Sequence, residues 1–130
     1  MVAYDDASPE VKAIFDDIMT TKGIDFVPHF WRTLASHPPL LADVWSSLKA
    51  AMAPGRVDAL TKEMIALAVS ATNGCTYCIH SHTAAARKLG MDDTMLGEVM
   101  AVVGVFNRTN RLADGYQVEV DPVILKANAR

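Results

Sequence analysis

No run of apolar residues in this sequence is long enough to cross a bilayer. Its longest stretches, such as Met64 to Val69 and Val99 to Val103, fall far short of the roughly 20 residues that a spanning helix needs. A cluster of Lys and Arg is also missing. With 12 basic and 15 acidic residues the formal net charge is -3, which offers no positive field to nucleic acid or to an anionic lipid surface. The N-terminus, Met1-Val2-Ala3-Tyr4-Asp5-Asp6, is acidic where a secretory leader is basic, and no apolar segment follows it. The cytoplasm is therefore the expected location. Alternation of period two is absent over any useful length, and neither an internal repeat nor a low-complexity linker divides the chain. Cysteine is scarce, with two residues three positions apart in a chain of 130 that is large enough to fold without staples. Such a pair in a reducing compartment points to redox chemistry or metal binding, not to a disulfide framework.

What is present is helix. A hydrophobic content of 51% against 21% charged residues suffices to fill a compact core, so residues 1–130 are expected to form a single all-α domain of about six helices. Ser8-Pro9-Glu10 is a start signal, with a capping hydroxyl, Pro at the first helical position and an acid in the first turn. Val11, Ile14, Phe15 and Ile18 then recur at helical spacing up to a stop at Gly23. A short second helix follows Pro28 and ends by His37, before Pro38-Pro39; a third runs to about Met52, ahead of Pro54-Gly55. Asp58 or Thr61 caps a fourth, whose Met64–Val69 interior is apolar nearly all round and predicts a central position. Asn73-Gly74 stops it. The fifth runs from the cysteines to Leu89, and the sixth starts at Asp92 or Asp93 and reaches as far as Leu112. The tail from Gly115 reads as a terminal arm.

Chemistry concentrates in Asn73-Gly74-Cys75-Thr76-Tyr77-Cys78-Ile79-His80-Ser81-His82. At about 100° per residue, Cys75, Cys78 and His82 fall within a helical stripe of roughly 60°, whereas His80 lies roughly 160° from Cys78. Both thiols stand at a helix start, where unpaired N–H groups and the dipole favour thiolate. His82, one turn beyond Cys78, is placed to take its proton. If the fourth and fifth helices form an antiparallel hairpin about Asn73-Gly74, Glu63 and His82 stand 10 and 9 residues from Asn73, at similar heights for a rise of ~1.5 Å per residue. Glu63 is then placed to orient His82.

Glu63, eleven intervening residues, Cys75-x-x-Cys78, three more and His82 resemble the signature of AhpD-like alkylhydroperoxidases of the carboxymuconolactone decarboxylase family. The flanking Lys62–Ser70 and Asn73–Cys78 segments strengthen the likeness. Val27–Arg32 and Phe106–Leu112 resemble the peroxidase-related branch, so the likeness covers a core of about residues 26–112. This resemblance implies an all-helical fold, a homo-oligomer of trimeric or hexameric form, no tightly bound cofactor and an external dithiol reductant. It also implies a dithiol that reduces hydroperoxides or partner disulfides, with Cys78 activated, Cys75 resolving, and His82 and Glu63 relaying a proton. Tyr77 departs from the pattern, standing where the best-known member of the family has histidine.

Two further readings stay open on the residues. Cys75, Cys78 and His82, completed by Glu63, His29 or His37, have the ligand types of a zinc-stabilised interaction module. A lactone-decarboxylating lyase on the same fold is the other, although proton transfer has no need of a dithiol. Covalent haem is excluded because Ile79, not histidine, follows Cys78. Arg108 and Arg111 read as a solvated or ion-pairing face, with an anionic partner group as the alternative.

Overall fold

The computed structural model describes residues 1–129. Among them there are seven helices and no strand, so the fold is all-α. The residues divide into two compact units, one from Met1 to Ala53 and one from Pro54 onward, and the buried apolar side chains form two clusters.

The first unit holds α1 (Pro9–Lys22), α2 (His29–Leu34) and α3 (Pro38–Met52). Ser8 caps α1 through its side-chain oxygen, which accepts the Val11 N–H at 3.3 Å, and Gly23 ends the helix with left-handed backbone at φ 60°. The apolar stripe of α1 turns inward, burying Val11, Phe15 and Ile18 among Trp31, Leu41 and Trp45. The two indoles meet edge to face with centroids 5.2 Å apart, a geometry that suits the quadrupoles of both rings. Asp17 ties α1 to α3, accepting from Trp45 Nε1 at 2.7 Å and Lys49 Nζ at 2.8 Å. The bonds from Lys49 and then Trp45 hold its carboxyl below the ordinary carboxylate value.

The second unit holds α4 (Ala59–Asn73), α5 (Thr76–Lys88), α6 (Asp93–Gly115) and α7 (Pro122–Asn128). Asp58 caps α4 by accepting from Thr61 N at 2.8 Å, and Asp92 caps α6 by accepting from Met95 N at 2.7 Å. Helix α4 packs against both α5 and α6. Leu67 of α4, Ala86 of α5 and Met91 of the α5–α6 connection form the buried cluster, flanked by Leu60, Met64, Ile79 and Val99.

Three features depart from the sequence reading. Helix α4 is central to its unit but is not buried all round: Ile65 and Val69 are 53% and 54% exposed. These two stand one turn apart on a face that its neighbours within the unit leave uncovered. Helix α6 passes through Gly104, an interior glycine that costs only about 1 kcal/mol relative to alanine, and runs on beyond Leu112 to Gly115. The tail, expected as an arm, carries α7, which starts at Asp121-Pro122 with Pro at the first helical position. Among the described residues no helix is long and apolar enough to cross a membrane.

Leu67 is fully buried and Leu89 is 47% exposed, so the same truncation separates core from surface. Leu67→Ala should cost about 2–5 kcal/mol and Leu89→Ala less than about 1 kcal/mol. Urea unfolding midpoints at constant m-value check the difference; equal losses would show that Leu67 does not anchor α4.

Candidate active site

The site is built on the turn between α4 and α5. Helix α4 ends at Gly74, whose φ of 71° lies in the left-handed region. The Gly74 N–H reaches the Ala71 carbonyl at 3.3 Å and the Cys75 N–H reaches that of Ser70 at 3.0 Å, so these two carbonyls near the end of α4 are satisfied as the chain reverses. Ser70, the buried polar residue of this helix, donates its hydroxyl to the Ala66 carbonyl at 2.7 Å.

Cys75 is the N-cap of α5, with extended backbone at φ -87° and ψ 91°. Its Sγ accepts the Cys78 N–H at 3.3 Å, which occupies one of the donors that a helix start leaves without a partner. This changes one detail of the stripe inferred from sequence. Cys78 and His82 lie within α5, but Cys75 stands before it and approaches Cys78 from the cap. The two cysteines are joined by a disulfide with Cα atoms 5.3 Å apart. A bridge over two intervening residues constrains the unfolded chain less than one closing a long loop, so its position suits chemistry better than stapling.

Glu63 projects from α4 and His82 from α5, and the structure brings them together. His82 Nδ1 and Glu63 Oε2 are 2.7 Å apart, with side chains 21% and 15% exposed. A carboxylate accepts only, so Nδ1 is the donor and the lone pair of a neutral ring lies on Nε2. Partial exclusion of water strengthens that bond relative to a surface pair. The arrangement can fix the imidazole's tautomer and orientation, leaving one nitrogen to accept a proton.

His80 and Tyr77 are exposed on α5, and Arg108 and Arg111 are exposed on α6. His29 and His37 belong to the first unit and are exposed there. Among the described residues no three His, Cys, Asp or Glu side chains are grouped to hold a metal ion.

Residues 38–118 match the carboxymuconolactone decarboxylase family. The chain belongs to that family. Among solved structures, the alkylhydroperoxidase AhpD core from Rhodospirillum rubrum ATCC 11170, a crystal structure at 1.95 Å, is 51% identical. That similarity covers 90% of this chain and 87% of the other, with a TM-score of 0.86. No curated protein matches. The resemblance drawn from Glu63, Cys75, Cys78 and His82 thus holds at the level of family and fold, and all four residues fall inside the segment of the carboxymuconolactone decarboxylase match.

If His82 serves Cys78, His82→Ala should slow alkylation of reduced Cys78 near neutral pH on the order of tenfold or more. His80→Ala should leave it nearly unchanged, and Glu63→Gln should slow it by acting through His82. Rates measured with an iodoacetamide-type reagent and followed by mass spectrometry decide this; equal effects of the two histidine changes would remove the basis for the relay.

Proposed function

We propose that this chain is a thiol-dependent, AhpD-like oxidoreductase that reduces hydroperoxides or partner-protein disulfides with the Cys75/Cys78 dithiol. The observation that carries the reading is the pairing of two adjacent cysteines at the start of α5 with a Glu63–His82 hydrogen bond one turn further along. The 51% identical AhpD core supports the same reaction class.

The cycle starts from the dithiol. His82, held by Glu63, takes the Cys78 proton through Nε2, and the thiolate attacks the terminal peroxide oxygen. The O–O bond breaks, the alkoxide leaves as alcohol on receiving a proton, and Cys78 becomes a sulfenic acid. The Cys75 thiol then attacks that sulfur, closing the disulfide and releasing water. With a partner disulfide as substrate, Cys78 forms a mixed disulfide instead, which Cys75 resolves while the partner leaves as dithiol. In both cases two electrons leave the protein, and an external dithiol returns them by reducing Cys75–Cys78. The cytoplasm, where such reductants are maintained, is the fitting compartment.

Consumption of an organic hydroperoxide with dithiothreitol as reductant tests this. Turnover is expected in the wild type, with loss of essentially all of it in Cys78→Ser; turnover of a lactone substrate that survives thiol blocking would favour the lyase reading instead.

We also propose that the chain works as a homo-oligomer, a trimer or hexamer. Helix α1 uses its apolar stripe within its own unit, whereas Ile65 and Val69 on α4 and Val102, Val105 and Phe106 on α6 are exposed. Clusters of large apolar side chains of this kind are suited to burial between subunits. Light scattering at micromolar concentration should return a multiple of 14.1 kDa; a monomer with full dithiol activity would contradict the assembly and its link to function.

A further inference from the structure

Helix α6 reaches the catalytic turn through one polar side chain. Asn107 Nδ2 donates to the Thr72 Oγ1 at 3.0 Å and to the Val103 carbonyl at 2.8 Å. Because Val103 offers only a carbonyl, it requires the amide nitrogen on its side, and the orientation of the Asn107 amide follows. Both hydrogens of the amide are thereby used, one tying Asn107 to its own helix and the other crossing to α4. Asparagine is a poor helix former, but back-bonding to its own helix leaves a donor with a defined direction at mid-helix.

The acceptor lies at a sensitive point. Thr72 is in the last turn of α4, two residues before Gly74 and three before Cys75. The dithiol hangs from that turn through Ser70, Ala71 and Gly74, whose bonds set where Cys75 emerges. Helix α6 packs against α4, so a bond at Thr72 fixes the end of α4 against a helix that carries neither cysteine.

We propose that Asn107 is a positioning residue for the dithiol, acting through Thr72 to hold the α4–α5 turn near its disulfide geometry in the reduced state. The inference rests on the redox reading of the Cys75/Cys78 pair. A dithiol already restrained close to bonding distance loses little conformational freedom when the disulfide closes, so its effective concentration is high. Releasing the anchor gives the reduced turn more freedom and makes the disulfide easier to reduce.

The experiment equilibrates the full chain with dithiothreitol redox buffers and measures the fraction of disulfide by alkylation and mass spectrometry. Asn107→Leu removes the donor at similar size, Thr72→Val removes the acceptor at the same shape, and Thr72→Ser keeps the hydroxyl. Asn107→Leu and Thr72→Val should each shift the dithiol–disulfide equilibrium toward dithiol by about two- to tenfold. The double variant should shift it no further, and Thr72→Ser should stay at the wild-type value. Wild-type equilibria in both single variants, even with lowered melting temperatures, would overturn the proposal and leave a merely structural bond. Additive shifts in the double variant would overturn it as well. A wild-type chain that does not interconvert between dithiol and disulfide would defeat the redox reading itself, an outcome separable from failure of the variants alone.

Discussion

The geometry of the site depends on the left-handed backbone of Gly74. A side chain meets no atom within 4 Å there, so the requirement for glycine is conformational: a φ of 71° costs an ordinary L-residue roughly 1–2 kcal/mol. At that residue α4 stops with its Ser70 and Ala71 carbonyls satisfied, and the chain turns back at once into α5. Two consequences follow from the one turn. Cys75 is delivered to the cap position, outside the helix, with its sulfur on the Cys78 N–H. Glu63 and His82, at almost equal distances along the two helices, come face to face.

Apolar packing holds that register. Leu67 and Ala86 are fully buried on the facing sides of α4 and α5, with Met91 closing the cluster, and any slide of one helix along the other would open a cavity among them. The 2.7 Å bond between Glu63 and His82 is thus supported by close-packed neighbours and does not have to hold the hairpin by itself. The reacting end of the hairpin has a different character. Cys75 and Cys78 are only partly buried, and Thr76 and Tyr77 between them are exposed. In the proposed cycle, this combination would let a substrate approach sulfur while the Glu63–His82 pair stays fixed.

How much of this was legible in the sequence follows from how local each signal is. The caps at Ser8, Asp58 and Asp92 and the stop at Gly74 are short-range chemistry, and each stands where its residue type places it. The meeting of Glu63 with His82 was legible because a tight turn converts sequence distance into height along two antiparallel helices. The exposure of Ile65 and Val69 was not, because an apolar helix interior does not say which faces its neighbours cover. Nor was the cap position of Cys75: cysteine is an uncommon cap, and helical periodicity carried the reading one residue too far toward the N-terminus. The Asn107–Thr72 bond spans 35 residues and depends on how α6 lies against α4, which no local pattern records.

The dithiol's chemistry is tested most directly in a single turnover. Fully reduced protein, freed of small thiols and mixed anaerobically with one equivalent of an organic hydroperoxide, should yield one equivalent of the alcohol. Each chain should lose two hydrogens as Cys75 and Cys78 join within it. Persistence of the peroxide beside two free thiols, or formation of only interchain dimers and overoxidised sulfur, would contradict the assignment of Cys78 as the attacking thiol and Cys75 as its resolving partner.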